Sequence, residues 1–251
     1  MDVIVMAGTT KPSELTQSEG VQNKAFVQIH GQTMLSYVVA TLRQVPEVKE
    51  IVIVGPAQEI KTLFTPSDTL YVADEGENIV ENIQRGLAAL SSPKKCLLVA
   101  ADSAFLTAKA VENFMVSCQP YTAAVYYPII SRTTTEQRFP GVKRNYVKLV
   151  DGEFTGGNVI MIDSVRMKQV LPQIERIYAA RKSPWRLVGI LGVDLIMKFL
   201  RKRLTIAEIE QRFEALFSIP GQAVIVADAE LGTDVDKPED LELARDQLAP
   251  F

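Results

Sequence analysis

Two hydrophobic rhythms take turns along this chain. Residues 3–6 form a short, largely β-branched apolar run that stops at Ala7-Gly8, the pattern of a strand buried on both faces. Residues 33–42 switch to helical spacing, with Met34, Tyr37, Val38, Thr41 and Leu42 on one face and Thr33 placed to cap the first turn. Buried-strand runs return at 51–54, 70–73 and 96–101; Gly55-Pro56 stops the first of these and Asp102 the last. Helices are expected at 79–90, with Ile79, Ile83, Leu87 and Leu90 as the apolar stripe, and at 107–116, with Thr107 as cap. Strand followed by helix, four times over, predicts a parallel sheet covered on both faces.

After residue 120 the alternation loosens. Strands expected at 123–127 and 159–162 bracket a long polar stretch, 132–150. Helices follow at 164–179, 185–200 and 206–217, then a strand at 223–226 and a helix at 238–248. With no repeat and no low-complexity linker, the 251 residues read as one three-layer α/β domain of mostly parallel sheet. A nucleotide-sized half runs to about residue 120, and a less regular substrate half follows it. The stretch 187–200, with Trp185 before it, is apolar nearly all round and reads as a buried helix, a dimer contact or acceptor lid being the second reading. Met161, Met167 and Met197 read as core filler.

Composition narrows the chemistry. The chain is 47% hydrophobic and 23% charged, an ordinary globular balance. A net charge of −3 with interspersed signs argues against a duplex nucleic-acid binder. One histidine, His30, rules out a zinc site built on His and Cys and leaves no Ser–His or Cys–His pair to assemble easily; beside Gly31, His30 reads as a structural turn residue. Two cysteines, Cys96 and Cys118, make no disulfide framework and fit a reducing compartment. The first residues do not read as a secretory signal, and 187–200 is shorter than the ~20 residues a membrane span needs. A cytoplasmic location is the expectation.

Ligands of open α/β sheets bind beyond the carboxyl ends of the strands. That places three segments under scrutiny. Ala7, Gly8 and Thr9 open a long loop whose free N–H groups and close backbone approach suit a phosphate, with Lys24 as a point charge; a plain surface loop fits equally well. Asp102, held at the end of a buried strand, suits a Mg²⁺ ligand, and equally a turn or cap. Asp234 and Asp236 alternate sides just before a helix started by Pro238, Glu239 and Asp240. The basic residues Arg132, Arg138, Lys143, Arg144 and Lys148 offer anion contacts or merely a solvated surface, and Arg138 and Lys143, flanking Pro140-Gly141, are the strongest of them.

Taken in order, these pieces resemble the MobA-like nucleotidyltransferases. Ala7-Gly8 and then Asn23-Lys24-Ala25-Phe26 through Gly31-Gln32-Thr33-Met34-Leu35 resemble that family's opening. Ala101-Asp102 with Phe105-Leu106-Thr107, and Asp234-Val235-Asp236-Lys237-Pro238-Glu239-Asp240-Leu241, are similar to its two acidic elements. Gly76, Asn78 and Asn82, with Gly86-Leu87, resemble the helix start that faces base and ribose; Thr155-Gly156-Gly157-Asn158 resembles the strand entry near the acceptor. One departure is plain: Thr9-Thr10-Lys11-Pro12 stands where the family has glycines and an arginine, Lys11 offering a replacement charge.

The resemblance implies a three-layer, Rossmann-like fold of the GT-A type. It implies transfer of NMP from an NTP to a small phosphorylated acceptor, with Mg²⁺ or Mn²⁺ as cofactor. Lys24 would hold the phosphates with Ala7, Gly8 and Thr9. Asp102 and Asp236 would hold the metal, Asp234 being the rival of Asp236. Gly76, Asn78 and Asn82 would face the nucleoside, and Gly157 and Asn158 the acceptor. Such chemistry needs alignment and charge neutralisation rather than a general base, since a phosphate monoester with its second pKa near ~6 is already ionised at neutral pH. A glycosyltransferase using a nucleotide sugar, or a nucleotide-binding protein without catalysis, are the rival classes on the same fold. A homodimer is the open expectation for assembly.

Overall fold

The computed structural model describes residues 1–9, 12–91, 95–180 and 189–249. Thr10 and Lys11 of the departing loop, and Trp185 to Val188 of the apolar stretch, lie outside the described residues.

The early strands fall where the apolar runs place them: β1 (Asp2–Met6), β4 (Ile51–Gly55), β5 (Leu70–Asp74) and β6 (Lys95–Ala100). A two-residue hairpin, β2 (Gln28–Ile29) and β3 (Gln32–Thr33), turns at His30 and Gly31, both with positive φ. His30 there meets the Arg245 carbonyl through Nε2 at 2.8 Å, a structural turn contact. Four more strands complete the main sheet beyond β7 (Val125–Ser131): β8 (Val147–Leu149), β9 (Gly152–Gly156), β10 (Val159–Asp163) and β11 (Gly221–Val226). The order is β5-β4-β1-β6-β10-β7-β9-β8, with β11 on the far edge of β7. The β5, β4, β1 and β6 strands are mutually parallel; β10 is antiparallel to β6 and β7, and β9 pairs antiparallel with β7 and β8. The sheet is therefore mostly parallel on its nucleotide-sized side and mixed on the other.

Strand alternation sends successive side chains to opposite faces. Val3, Val5, Leu97, Val99 and Met161 pack with α2 (Met34–Arg43) and α5 (Ala108–Ser117) in one core layer. Ile4, Val52, Val54, Leu98 and Ile162 pack with α4 (Ile79–Ala89), α7 (Ser164–Ala180) and α9 (Ile206–Phe217) in the other. The shorter helices are α1 (Glu14–Ser18), α3 (Ala57–Leu63), α6 (Arg132–Arg138), α8 (Val193–Leu200) and α10 (Pro238–Gln247). Thr33, Thr107 and Thr205 cap their helices through side-chain oxygens, each satisfying an N–H that the first turn leaves free. Among the described residues no helix is long and apolar enough to cross a membrane. Both cysteines are buried and free, and burial pushes each thiol up to about 12.

Four expectations change. The stripe of α4 changes only at its first position: Val80 is buried and Ile79 is exposed, while Ile83, Leu87 and Leu90 pack on the core as expected. The polar stretch 132–150 is not all loop; Ser131 caps α6 through its hydroxyl, so hydrogen bonding starts a helix that has no apolar stripe. The described part of 187–200 is not a buried helix, because α8 contains no buried residue. Met197, on α8, is exposed, whereas Met161 and Met167 lie in the core.

Gly86 lets α4 sit close on the sheet. A Cβ there would come within 2.5 Å of Ile4 Cγ2 and 3.1 Å of Val54 Cγ2, both fully buried neighbours. Gly86→Val should destabilise the protein by about 2–3 kcal/mol through overpacking, read as a lower urea midpoint at unchanged slope. An unchanged midpoint would show that the helix can back away freely.

Candidate active site

Loops at the carboxyl ends of β1 and β6 meet a third loop that comes from just before α10. The strand β6 delivers Asp102 through a short turn in which Ser103 N–H donates to the Ala100 carbonyl (3.3 Å). The Asp102 carbonyl in turn accepts from Val235 N–H (3.0 Å), which stitches the two acidic segments together. Asp236 and Lys237 N–H groups donate to Asp240 Oδ2 (3.1 and 3.0 Å), so Asp240 is an ordinary helix-start acid holding the loop's end.

Lys24 reaches both acidic segments. Its Nζ donates to Asp102 Oδ2 at 2.6 Å and also to Asp236 Oδ1. Burial on its own would lower the Lys24 pKa, but the charges and hydrogen bonds of Asp102 and Asp236 more than offset it, and the net shift is upward. The ammonium therefore stays charged at any physiological pH. One carboxylate oxygen from each of Asp102, Asp234 and Asp236 lies within 4.8 Å of the others. Asp234 is bound differently: Arg144 Nη1 donates to its Oδ1, and Nη2 to its backbone carbonyl at 2.6 Å. Burial raises the Asp234 pKa, Arg144 pulls it down, and the two neighbouring acids push it up again, for a net rise. Three carboxylate oxygens this close are a donor set suited to a hard divalent cation such as Mg²⁺ or Mn²⁺.

Asn23, given no role of its own in the sequence beyond its place in the opening motif, sets the turn that carries Lys24. It is buried, its Oδ1 accepts from Ala25 N–H (2.9 Å), and its Nδ2 donates to the Ala7 carbonyl (2.8 Å) and toward Thr9 Oγ1 (3.4 Å). The only signal was an Asn directly before the lysine. Ala7 is buried and gives its N–H to Val54, so it supports the loop from below. Gly8 has no room for a side chain, because a Cβ would fall 2.3 Å from Asn82 Nδ2. Thr9 gives both its donors to Glu75: its N–H to Oε2 and its hydroxyl to Oε1 (2.8 Å). An anion is thus already bound to Thr9.

The remaining residues separate into scaffold and open groups. Asn78 does not turn its amide oxygen outward; that oxygen caps α4 at Val80 and Glu81 N–H (2.9 and 3.1 Å). Asn82 is buried, and its Oδ1 accepts from Gly76 N–H (2.6 Å), so this asparagine ties two loops together instead of lining open space. Gly157 N–H donates to the Pro128 carbonyl (2.9 Å) and Asn158 N–H to that of Leu231 (2.7 Å). Asn158 Nδ2 is a buried donor without a partner among the described residues, the kind of group a ligand oxygen completes.

The basic stretch is placed otherwise than expected. Arg138 pairs with Glu230 (2.7 Å) and lies over the Phe139 ring, while Lys143 is exposed. Arg132 and Lys148 both pair with Glu153 (3.1 and 2.8 Å). Arg144 is the one that reaches the acidic cluster, which residue spacing could not reveal.

A doubly covered, mostly parallel sheet with charged loops gathered at one edge is an architecture whose ligands bind beyond the carboxyl ends of its strands. The MobA-like NTP transferase domain matches residues 4–188, and the chain belongs to that family. Among solved structures it is similar to a hypothetical transferase from Thermus thermophilus, at 32% identity and a TM-score of 0.84, covering 96% of this chain and 98% of that one. It shares its fold with 4-diphosphocytidyl-2C-methyl-D-erythritol synthase from Anaerococcus prevotii (13% identity, TM-score 0.59, 98% and 96% covered). The same holds for a CMP:2-keto-3-deoxy-manno-octonic acid synthetase complexed with CTP (13% identity, TM-score 0.61, 97% and 96% covered). No curated protein matches the sequence.

Arg144 is the sole hydrogen-bonding cation of Asp234 among the described residues. Arg144→Ala should lower stability by about 1–3 kcal/mol, because a largely desolvated carboxylate loses its partner. Arg144→Lys should recover only part, since it keeps the charge and loses the fork to both oxygens. Urea midpoints compare the three proteins; equal midpoints would mean that Asp234 is solvated without Arg144.

Proposed function

We propose that this protein transfers a nucleotidyl group from an NTP to a phosphorylated or sugar acceptor, releasing pyrophosphate, with a divalent cation as cofactor. The observation that carries the reading is the convergence of Lys24 with Asp102 and Asp236, brought from three remote parts of the chain to one sheet edge. Family membership supports nucleotidyl transfer. Two neighbours of the same fold, one named for a diphosphocytidyl-methylerythritol product and one solved with CTP, support it further.

In this reading an ionised phosphate oxygen of the acceptor, or a sugar hydroxyl that gives its proton to solvent, attacks the α-phosphorus of the NTP, a new P–O bond forms, and the bond to the β-phosphate breaks. Both bonding electrons leave with pyrophosphate, which remains charged and needs no protonation to depart. Bound at Asp102 and Asp236, a Mg²⁺ or Mn²⁺ ion would neutralise the phosphate chain. Lys24, held in place by Asn23, supplies a fixed positive charge to the same oxygens. Gly8 leaves the backbone open to close approach, and Asn158 offers its free amide donor on the acceptor side. Residues 1–120 carry the nucleotide half and 121–251 the acceptor half.

The test is thermal denaturation with each NTP, with and without Mg²⁺, followed by pyrophosphate release with a panel of sugars, sugar phosphates and polyol phosphates. At a nucleotide concentration of a hundred times Kd, stabilisation of about 2.7 kcal/mol is expected, a rise of about 5–10 °C for a chain this long. Lys24→Ala, Asp102→Asn and Asp236→Asn should each cut turnover by at least about a hundredfold. Pyrophosphate that appears at the same rate in all three variants, or no NTP giving a metal-dependent shift, would overturn the proposal. Release of a nucleoside diphosphate from a nucleotide sugar instead would make the protein a glycosyltransferase.

A further inference from the structure

The helix α8 begins just past the stretch matched to the family, which ends at residue 188. None of its eight residues is buried, and Val193 and Leu200 are 63% and 67% exposed, with Met197 and Phe199 exposed as well. Val193, Ile196, Met197 and Leu200 stand at i, i+3, i+4 and i+7, so they form one stripe. Asp194 and Lys198 lie on the other side. That polar side fastens the helix, as Lys198 pairs with Glu208 at the start of α9; just before the helix, Arg212 Nη2 donates to the Ile190 carbonyl at 2.6 Å. Of the stripe, Val193, Met197 and Leu200 are exposed and Ile196 is half-buried.

The helix ends in a tight turn. Lys202 N–H donates to the Phe199 carbonyl (2.9 Å) and Arg203 N–H to that of Lys198 (2.8 Å), with Lys202 in the left-handed region at φ 56°. Glycine suits that position best. A lysine stands there, with an arginine on each side. Arg201, Lys202 and Arg203 are all exposed, and none forms an ion pair among the described residues. Three uncompensated cations therefore follow an uncovered apolar stripe, in a chain whose net charge is −3.

We propose that α8 and the 201–203 turn seat the protein on an anionic lipid surface. The helix lies in the plane of the interface, its stripe among the upper acyl carbons and its cations among the headgroup phosphates. A single eight-residue helix gives shallow, reversible attachment that depends on charge. An anionic bilayer meets both the apolar and the charged demand.

Flotation of the full chain with phosphatidylcholine vesicles, with and without phosphatidylglycerol, tests this directly. Binding is expected only with phosphatidylglycerol and should fall steeply at high salt. Arg201→Gln/Lys202→Gln/Arg203→Gln should lower partitioning at least about tenfold, and Val193→Ser/Leu200→Ser should do the same. Both variants should keep the parent urea midpoint, since the altered side chains are exposed. Equal binding to neutral vesicles, or full retention by the triple glutamine variant, would overturn the proposal. So would a dimer in light scattering that the Val193→Ser/Leu200→Ser variant turns into a monomer, which would assign the face to a second copy.

Discussion

Three carboxylates whose oxygens gather within 4.8 Å repel one another by about 3 kcal/mol per pair at an effective dielectric near that of a protein surface. Lys24 and Arg144 make the cluster tolerable, one ammonium across Asp102 and Asp236 and one guanidinium across Asp234. Those five side chains come from the loop after β1, the turn after β6, the stretch between α6 and β8, and the loop before α10. Their charge balance draws four distant segments to one place. Two cations against three carboxylates still leave one negative charge, which a divalent ion or a nearby positive group can answer.

Around that cluster the asparagines divide the work of holding loops still. Asn23 fixes the lysine turn against the end of β1, Asn78 caps α4, and Asn82 binds the Gly76 loop while crowding Gly8. Each uses its amide to satisfy backbone groups that would otherwise be stranded near the sheet edge. A site that depends on position rather than on a strong acid or base needs this kind of scaffold more than it needs reactive side chains. Asn158 is the contrasting member, since its Nδ2 has no partner among the described residues.

The parallel half was legible because β1, β4 and β6 are buried on both faces and therefore read as unbroken apolar runs. The caps at Thr33 and Thr107 were legible for a local reason, a hydroxyl next to a periodic stripe. What escaped depends on distance in the chain. Arg138 and Lys143 looked better placed than Arg144 because they flank a Pro-Gly turn, yet only the fold brings Arg144 to Asp234, ninety residues away. The α6 helix escaped because hydrogen bonds from Ser131, not apolar spacing, begin it. The reading of α8 as buried failed for a deeper reason: an apolar stripe records that something apolar is near, and a core or another surface leaves the same pattern.

The choice between Asp234 and Asp236 shows how far local geometry carries a chemical assignment. Alternation along an extended segment predicts that the two side chains diverge, and they do take different partners. Asp234 is mostly enclosed and clamped by a two-pronged guanidinium that also holds its own carbonyl. Asp236 is 53% exposed in its side chain, and among the described residues its carboxylate is held by the Lys24 ammonium alone. A guanidinium with its fork engaged is hard to displace, whereas an ammonium on a flexible stem can exchange one anion for another. Under the proposed chemistry Asp236 is therefore the carboxylate free to take a cation beside Asp102. Asp234 keeps the loop in register, and its negative charge still contributes to the field between them.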